Sequence, residues 1–184
     1  MSELTYTLSQ LNNLSEEDAC FAFENCCTSS RWIEGMVARR PFVSIAQCQE
    51  VALEVWNALG EVDFLEAFEG HPKIGDVSSL RKKYAHTKKL ASGEQSSVNE
   101  ANEATIQALA DGNTQYEQQN GFIFIVCATG KSAEEMLDIL QSRLPNSREQ
   151  ELKTAAGEQA KITAIRIDKL LPTDVNPETK ISER

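Results

Sequence analysis

The stretch that decides the fold class is GFIFIVCATG, residues 121–130, with five apolar residues in a row at 122–126. It is the only run in the sequence with an extended character, and a single strand has no sheet to join. The other apolar residues recur mostly at helical spacing. We therefore predict an all-α fold, a single-domain helical bundle with one buried extended segment. The predicted domain covers residues 1–172, and residues 173–184 form a polar C-terminal tail.

Capping signatures predict where the helices begin. In each one a serine is followed by an acidic residue at the start of a helical pattern: Ser15 with Asp18, Ser132 with Glu135, and Ser147 with Glu151. We expect Gly60 to end the helix that starts near residue 45. For the polar helix over 92–120 we predict a thin apolar face of Val98, Ala101, Ala104, Thr105, Ala108 and Leu109. For the last helix the predicted stripe is Leu152, Ala155, Ala156, Ala160, Ile162, Ile165 and Leu170.

Composition limits the classes of partner. The chain has 184 residues, 41% hydrophobic and 25% charged, with a net charge of −10. An acidic protein lacks the basic surface that nucleic acids and anionic membranes attract, so we expect neither as a partner. The sequence also shows no secretory signal and no membrane-spanning run, and we expect a cytoplasmic protein.

Five cysteines without CxxC spacing are expected to be reduced. The adjacent Cys26 and Cys27 have two interpretations, a redox pair or two small buried hydrophobes, and the second is favoured. With only two histidines, the sequence contains no Cys/His cluster of the zinc-binding type. We expect no metal and no cofactor.

A histidine beside a proline stands out in FEGHPKIGD, residues 68–76. Pro72 disfavours a helical conformation at His71, which places the imidazole just after a helix. A rigid turn would suit a catalytic histidine. On these residues alone an ordinary surface turn is an equal alternative.

Three further features each have a structural and a functional interpretation. The first is ASGEQSSV, residues 91–98. In the structural interpretation Ser92 is a helix N-cap with Gln95 at the capping-box position. In the functional interpretation the start of the helix presents N–H groups and the Glu94 carboxylate to a ligand. The apolar run 122–126 is core, or its unpaired backbone groups bind a planar polar ligand. Arg166 reaches solvent, or is paired in a cleft.

Taken together, five stretches in order resemble the 2-oxo-4-hydroxy-4-carboxy-5-ureidoimidazoline (OHCU) decarboxylase family over about Leu8 to Leu171. They are CCTSSRW with RRPF, FEGHPKIGD, ASGEQ, FIVCATGKSAEEML and ELKTAAGEQAKITAIRIDKLL. The resemblance implies an all-α bundle, usually a homodimer, that converts an anionic ureidoimidazoline to (S)-allantoin and CO2 without metal or cofactor. This is the last step from urate to allantoin.

The resemblance also implies site residues. The family's catalytic histidine and glutamate fall on His71 and Glu94. Substrate-binding positions fall on Pro72, Ala91, Ser92, Gly93, Gln95, Phe124, Ile125, Val126, Cys127, Ala128 and Arg166. Two departures, Ser96 after the Glu-Gln pair and the basic stretch Arg81 to Lys89, affect the fine shape of the pocket. Two alternatives remain at this point, another cofactor-free ureide or purine-ring enzyme and a non-catalytic helical interaction module.

Overall fold

The computed structural model describes residues 4–72, 76–84 and 95–172, with the backbone alone over 95–102. These residues form helices and connecting segments and contain no strand, which confirms the all-α prediction. The helices are α1 (Leu8–Asn13), α2 (Glu16–Glu24), α3 (Ser30–Ala38), α4 (Ile45–Asn57), α5 (Glu61–Glu69), α6 (Val77–Lys83), α7 (Gln95–Asn120), α8 (Ala133–Arg143) and α9 (Arg148–Leu170). No helix among them combines the length and the apolar character needed to cross a membrane.

The chain divides into two compact units. The described residues up to Gly70, together with those from Ala156, form the first unit, and the described residues of 71–155 form the second. Helix α9 contributes residues 148–155 to the second unit and residues 156–170 to the first. The predicted tail, residues 173–184, lies outside the described residues, and the extent of the predicted domain stays a prediction.

In the first unit, α3 packs against α2, α4 and α5. Serine caps begin several of these helices, and Ser15 accepts from the Asp18 N–H as predicted. The indoles of two buried tryptophans tie the helices together. Trp32 donates to the Ala52 carbonyl at 3.1 Å, and Trp56 to the Ala156 carbonyl at 2.9 Å. Each buried indole thus has the partner that it needs.

The prediction that Gly60 ends α4 is wrong. Helix α4 ends at Asn57 with Ala58 as its C-cap, and Gly60 is the N-cap of α5. A glycine C-cap requires the left-handed conformation, whereas Gly60 has a φ of −120°. Here the glycine begins a helix.

In the second unit, α7 packs against both α6 and α8. The predicted capping box of α8 is confirmed, because Ser132 accepts from the Glu135 N–H at 3.1 Å and Glu135 accepts from the Ser132 N–H at 3.2 Å. Gly121 follows α7 with a φ of 81° and donates to the Glu117 carbonyl. This left-handed residue ends the helix and starts the segment at 122–128.

The predicted partner of Ser147 is wrong. Ser147 accepts from the Gln150 N–H at 3.2 Å, and the Gln150 side chain accepts from the Ser147 N–H at 3.1 Å. A capping box joins the N-cap to the third helical residue. Glu151 is one residue further along and is fully buried.

The two predicted apolar faces are only partly correct. In α7, Leu109 is buried but Ala104 is exposed, while the side chains of Val98 and Ala101 lie outside the described residues. In α9, Ile162 and Ile165 are only half-buried. The predicted Ala155, Ala156 and Leu170 are buried, and the other buried positions of α9 are Glu151, Gln159, Thr163 and Ile167. Polar residues share the buried face where hydrogen bonds satisfy them, as between Gln159 and Thr163.

Candidate active site

The His-Pro pair comes immediately after α5, as the sequence predicts. Gly70 is the C-cap of that helix, and His71 follows it in a bend with a half-buried side chain. Pro72 is exposed. The imidazole is therefore carried on a short non-helical piece of chain, which fits a catalytic mount and a structural turn equally well.

The glutamate motif is only partly within the described residues. Ala91, Ser92, Gly93 and Glu94 lie outside them, and α7 begins at Gln95. The proposed roles of these residues stay predictions.

The predicted extended segment connects α7 to α8 without forming a strand. Along it the burial alternates: Ile125 and Cys127 are buried, whereas Phe124, Val126 and Ala128 are half-buried. Such alternation is typical of extended chain. The segment is therefore a connector without helix or strand inside a helical unit.

Two side-chain cations satisfy carbonyl groups of this segment. Arg143 Nη1 donates to the Ile125 carbonyl at 2.8 Å, and Lys131 Nζ donates to the Cys127 carbonyl at 2.7 Å. Since the described residues form no sheet, these cations are the partners that the buried carbonyls require. A ligand is not needed at either position.

Sequence reasoning missed a polar cluster, which we define as the buried Tyr116, Arg143 and Glu151 together with the half-buried Asn146. Arg143 Nε donates to Glu151 Oε1 at 2.7 Å, and the Tyr116 hydroxyl donates to the same oxygen at 2.5 Å. Asn146 Nδ2 donates to Glu151 Oε2 at 2.8 Å. The signal that could have revealed the cluster is Glu151 itself, a charged residue four positions before Ala155 in the apolar spacing of α9.

The cluster also surrounds an aromatic ring of the extended segment. The guanidinium carbon of Arg143 lies 4.6 Å from the ring centre of Phe124 and 5.6 Å from that of Tyr116. The two rings meet edge to face at 5.2 Å. Burial and the hydrogen bond to Glu151 raise the pKa of the Tyr116 hydroxyl well above its usual range, so this hydroxyl stays protonated as a donor.

Arg166 lies in the first unit, on α9, and is half-buried. Its positive charge acts on two thiols of the same unit, where burial is the dominant influence. Burial raises the pKa of Cys26 to about 12 and that of Cys27 to about 11, and Arg166 partly opposes both shifts. Both cysteines are 1% exposed and free. Because thiol reactivity requires the thiolate, these properties favour small buried hydrophobes over a redox pair.

Among the described residues, no three His, Cys, Asp or Glu side chains come together in a way that could hold a metal ion.

Comparison with known proteins decides the family. The OHCU decarboxylase family model matches residues 12–168. The chain belongs to the OHCU decarboxylase family. The match confirms the resemblance that the five sequence stretches suggested.

Solved structures and curated relatives agree with this OHCU decarboxylase assignment. A solved OHCU decarboxylase, crystallised in the presence of (S)-allantoin, is 33% identical and superposes with a TM-score of 0.65 over 85% of this chain and 98% of that one. The uric acid degradation bifunctional protein TTL of Arabidopsis thaliana is 36% identical over 146 residues, which are 79% of this chain and 45% of that protein. The OHCU decarboxylase of Haloferax volcanii is 25% identical over 168 residues, 91% of this chain and 96% of that protein.

The chain spans less than half the length of the bifunctional relatives. It covers 45% of the Arabidopsis protein and 35% of the uric acid degradation bifunctional protein of Bacillus sp. strain TB-90. By contrast, it covers 96% of the Haloferax OHCU decarboxylase.

Proposed function

We propose that this chain decarboxylates OHCU to (S)-allantoin and CO2, the last step from urate to allantoin. The observation that carries the proposal is the family match over residues 12–168. A fold shared with an OHCU decarboxylase at 33% identity supports it.

The substrate's own structure explains how a cofactor-free mechanism would work. The carbon that loses CO2 carries a hydroxyl group and neighbours a C=N bond. The electron pair released with CO2 spreads into that double bond, which does the work that an organic cofactor does in other decarboxylases. The protein then has to orient the ring, transfer a proton and select one face.

We assign the proton transfer to His71. In this proposal its imidazole exchanges a proton with the substrate hydroxyl or with the developing enol, and Glu94 holds the same hydroxyl region by a hydrogen bond. General acid–base catalysis of this kind contributes about 10² to 10⁴ in rate. Proton delivery to one face gives a single enantiomer.

Substrate binding is assigned to the remaining motif residues. Backbone groups of Phe124 to Ala128 would hold the planar ureide edges, and Pro72 with Ala91 to Gly93 and Gln95 would shape the surrounding wall. Arg166 would bind a carbonyl or ureido oxygen. A tight grip on the departing carboxylate would stabilise the ground state and slow the reaction, so we assign no cation to it.

A homodimer in the cytoplasm completes the proposal. The dimer follows from the family resemblance. The described cysteines, Cys20, Cys26, Cys27, Cys48 and Cys127, are all free, and free cysteines are typical of a reducing compartment.

The experiment that tests the function follows circular dichroism of allantoin formed from freshly generated OHCU. Uncatalysed decay should give racemic allantoin, so optical activity, and not the rate alone, reports the enzyme. The expected result is a growing (S)-allantoin signal with matched CO2 release. Folded protein that produces no signal would refute the proposal. If another ureide were turned over without CO2, the chain would be a ring hydrolase, and no turnover at all would leave a non-catalytic module.

A further inference from the structure

Arg143 makes two different contacts with the extended segment. Its Nη1 donates to the Ile125 carbonyl at 2.8 Å, and its guanidinium carbon lies 4.6 Å from the ring centre of Phe124. The first contact fixes the direction of a peptide group, and the second fixes the neighbouring side chain. The segment has no strand beside it within the described residues, so these contacts take the place of a sheet ladder.

The guanidinium is itself fixed from two further directions. Nε is bound to Glu151 Oε1 at 2.7 Å, and Nη2 lies 3.2 Å from the Tyr116 hydroxyl. The Arg143 side chain is 7% exposed and that of Glu151 is fully buried. All three nitrogens of a planar group therefore have partners, which leaves the plane little freedom to rotate.

Stability alone is a weak explanation for this arrangement. Burying an ion pair costs desolvation that its attraction barely repays, and apolar residues of similar volume often serve stability as well. What apolar residues cannot supply is a donor to the Ile125 carbonyl. Ile125 is 2% exposed, and a buried carbonyl without a donor is costly.

We propose that Arg143 is a positioning residue for substrate binding. It holds the backbone of residues 124–128 in place, and Glu151 and Tyr116 hold its guanidinium group in a fixed orientation. The inference rests on the proposed function, in which that backbone holds the ureide edges. Hydrogen-bonding groups bind a rigid ring well only when their spacing is held to a fraction of an ångström. Loss of the planar guanidinium group should therefore weaken substrate binding and make proton delivery to one face of the substrate less selective, while the fold is kept.

The test uses Arg143→Lys in the full chain, because lysine keeps the charge but loses the planar fork. We expect KM for OHCU to rise about tenfold. A change of this size corresponds to the loss of one to two net hydrogen bonds between the displaced backbone and the substrate. The enantiomeric excess of the allantoin should fall, and the far-UV circular dichroism should not change. The matched control is Arg39→Lys. Arg39 pairs with Glu54 at 3.1 Å on the surface of the first unit, and its replacement should leave KM and enantiomeric excess unchanged.

A second variant covers the case in which Arg143→Lys does not fold. Tyr116→Phe removes only the hydroxyl that contacts Nη2 and Glu151, and should change both quantities in the same direction by a smaller factor. A folded Arg143→Lys protein with wild-type KM and enantiomeric excess would overturn the inference about Arg143 but not the proposed function. If the lysine variant is unfolded, the same two quantities measured on Tyr116→Phe decide. An optically silent wild type would overturn the proposed function and the inference with it.

Discussion

Arg143 Nε and Glu151 Oε1 lie 2.7 Å apart, and the two side chains are 7% and 0% exposed. The arginine ends α8 and the glutamate lies in the first turns of α9, so the ion pair connects consecutive helices. Truncation of one partner leaves the other charge buried and unpaired, which is far more costly than the pair is beneficial.

Glu151→Ala should lower the free energy of unfolding by about 3–5 kcal/mol, because it leaves the Arg143 charge buried without its partner. The matched control is Glu54→Ala, which breaks an exposed Arg–Glu pair and should cost at most about 1 kcal/mol. Urea denaturation of both variants measures the difference. Equal losses would mean that the buried pair behaves like a surface pair.

Two helical glycines should respond to alanine in opposite directions. A Cβ at Gly112 in α7 would lie 2.6 Å from Leu140 Cδ2 of α8, whereas one at Gly157 in α9 would meet nothing within 4 Å. Gly112→Ala should therefore destabilise by about 1–3 kcal/mol through overpacking. Gly157→Ala should stabilise by about 0.5–1 kcal/mol through backbone entropy. Thermal melts show whether each variant has a higher or a lower melting temperature than the wild type. A stabilised Gly112→Ala protein would show that α7 and α8 have room to separate.

His71→Ala should reduce the rate of (S)-allantoin formation by about 10² to 10⁴, because it removes the proposed proton-transfer group. Initial rates by circular dichroism measure the loss. The control is Arg39→Lys on the surface of the first unit, which should keep the wild-type rate. A His71→Ala protein with wild-type turnover would reduce the His-Pro pair to a turn.

Glu94→Gln should reduce the rate by a comparable factor, because an amide keeps the shape of the side chain but not its negative charge. The alternative role, a favourable charge in the first turn of a helix, is worth about 0.3–1 kcal/mol of stability and nothing in rate. Rates and melting temperatures measured on the same sample separate the two roles. An unchanged rate with a lowered melting temperature would assign Glu94 to the helix alone.

The free energy of unfolding should fall as the pH rises from about 9 towards 12. Burial raises the pKa of Cys26 and Cys48 to about 12 and that of Cys27 to about 11, above the ordinary value of 9.0. In this window the unfolded chain loses its thiol protons first, so stability that is complete below pH 9 is lost on the way up.

Cys48→Ala should make that pH dependence shallower. Val51→Ala removes a buried side chain from the same helix without removing a titrating group, and should lower stability by a similar amount at every pH. Denaturant midpoints at pH 7 and at pH 10.5 measure both slopes. If the two variants have the same slope, Cys48 does not contribute to the alkaline loss.

Local features of the fold could be predicted from the sequence. The capping box of α8 depends only on Ser132 and Glu135, three residues apart, and the structure confirms it. The absence of a second extended run was enough to exclude a sheet. By contrast, the partner of Ser147 was predicted wrongly although the spacing decides it, since a capping box joins residues three apart and so selects Gln150 over Glu151.

The polar cluster depends on residues that are distant along the chain. Tyr116 and Glu151 are 35 positions apart, and the local sequence around neither residue predicts their contact. Buried polar side chains also explain why the buried face of α9 was predicted only in part. Glu151, Gln159 and Thr163 occupy positions that hydrophobic periodicity assigns to apolar residues. Of the candidate site, the position of His71 after α5 could be predicted, but the cations that bind the carbonyl groups of the extended segment could not.

The hydrogen bond from Arg143 to the Ile125 carbonyl has a consequence for protein engineering. A main-chain oxygen is present whatever side chain the residue carries, so this anchor does not depend on the side chains next to it. Val126 is half-buried and makes no part of the anchor. Saturation mutagenesis at Val126 can therefore alter the contour of the proposed pocket while the backbone stays in place, which makes this position a starting point for widening the range of ureides accepted.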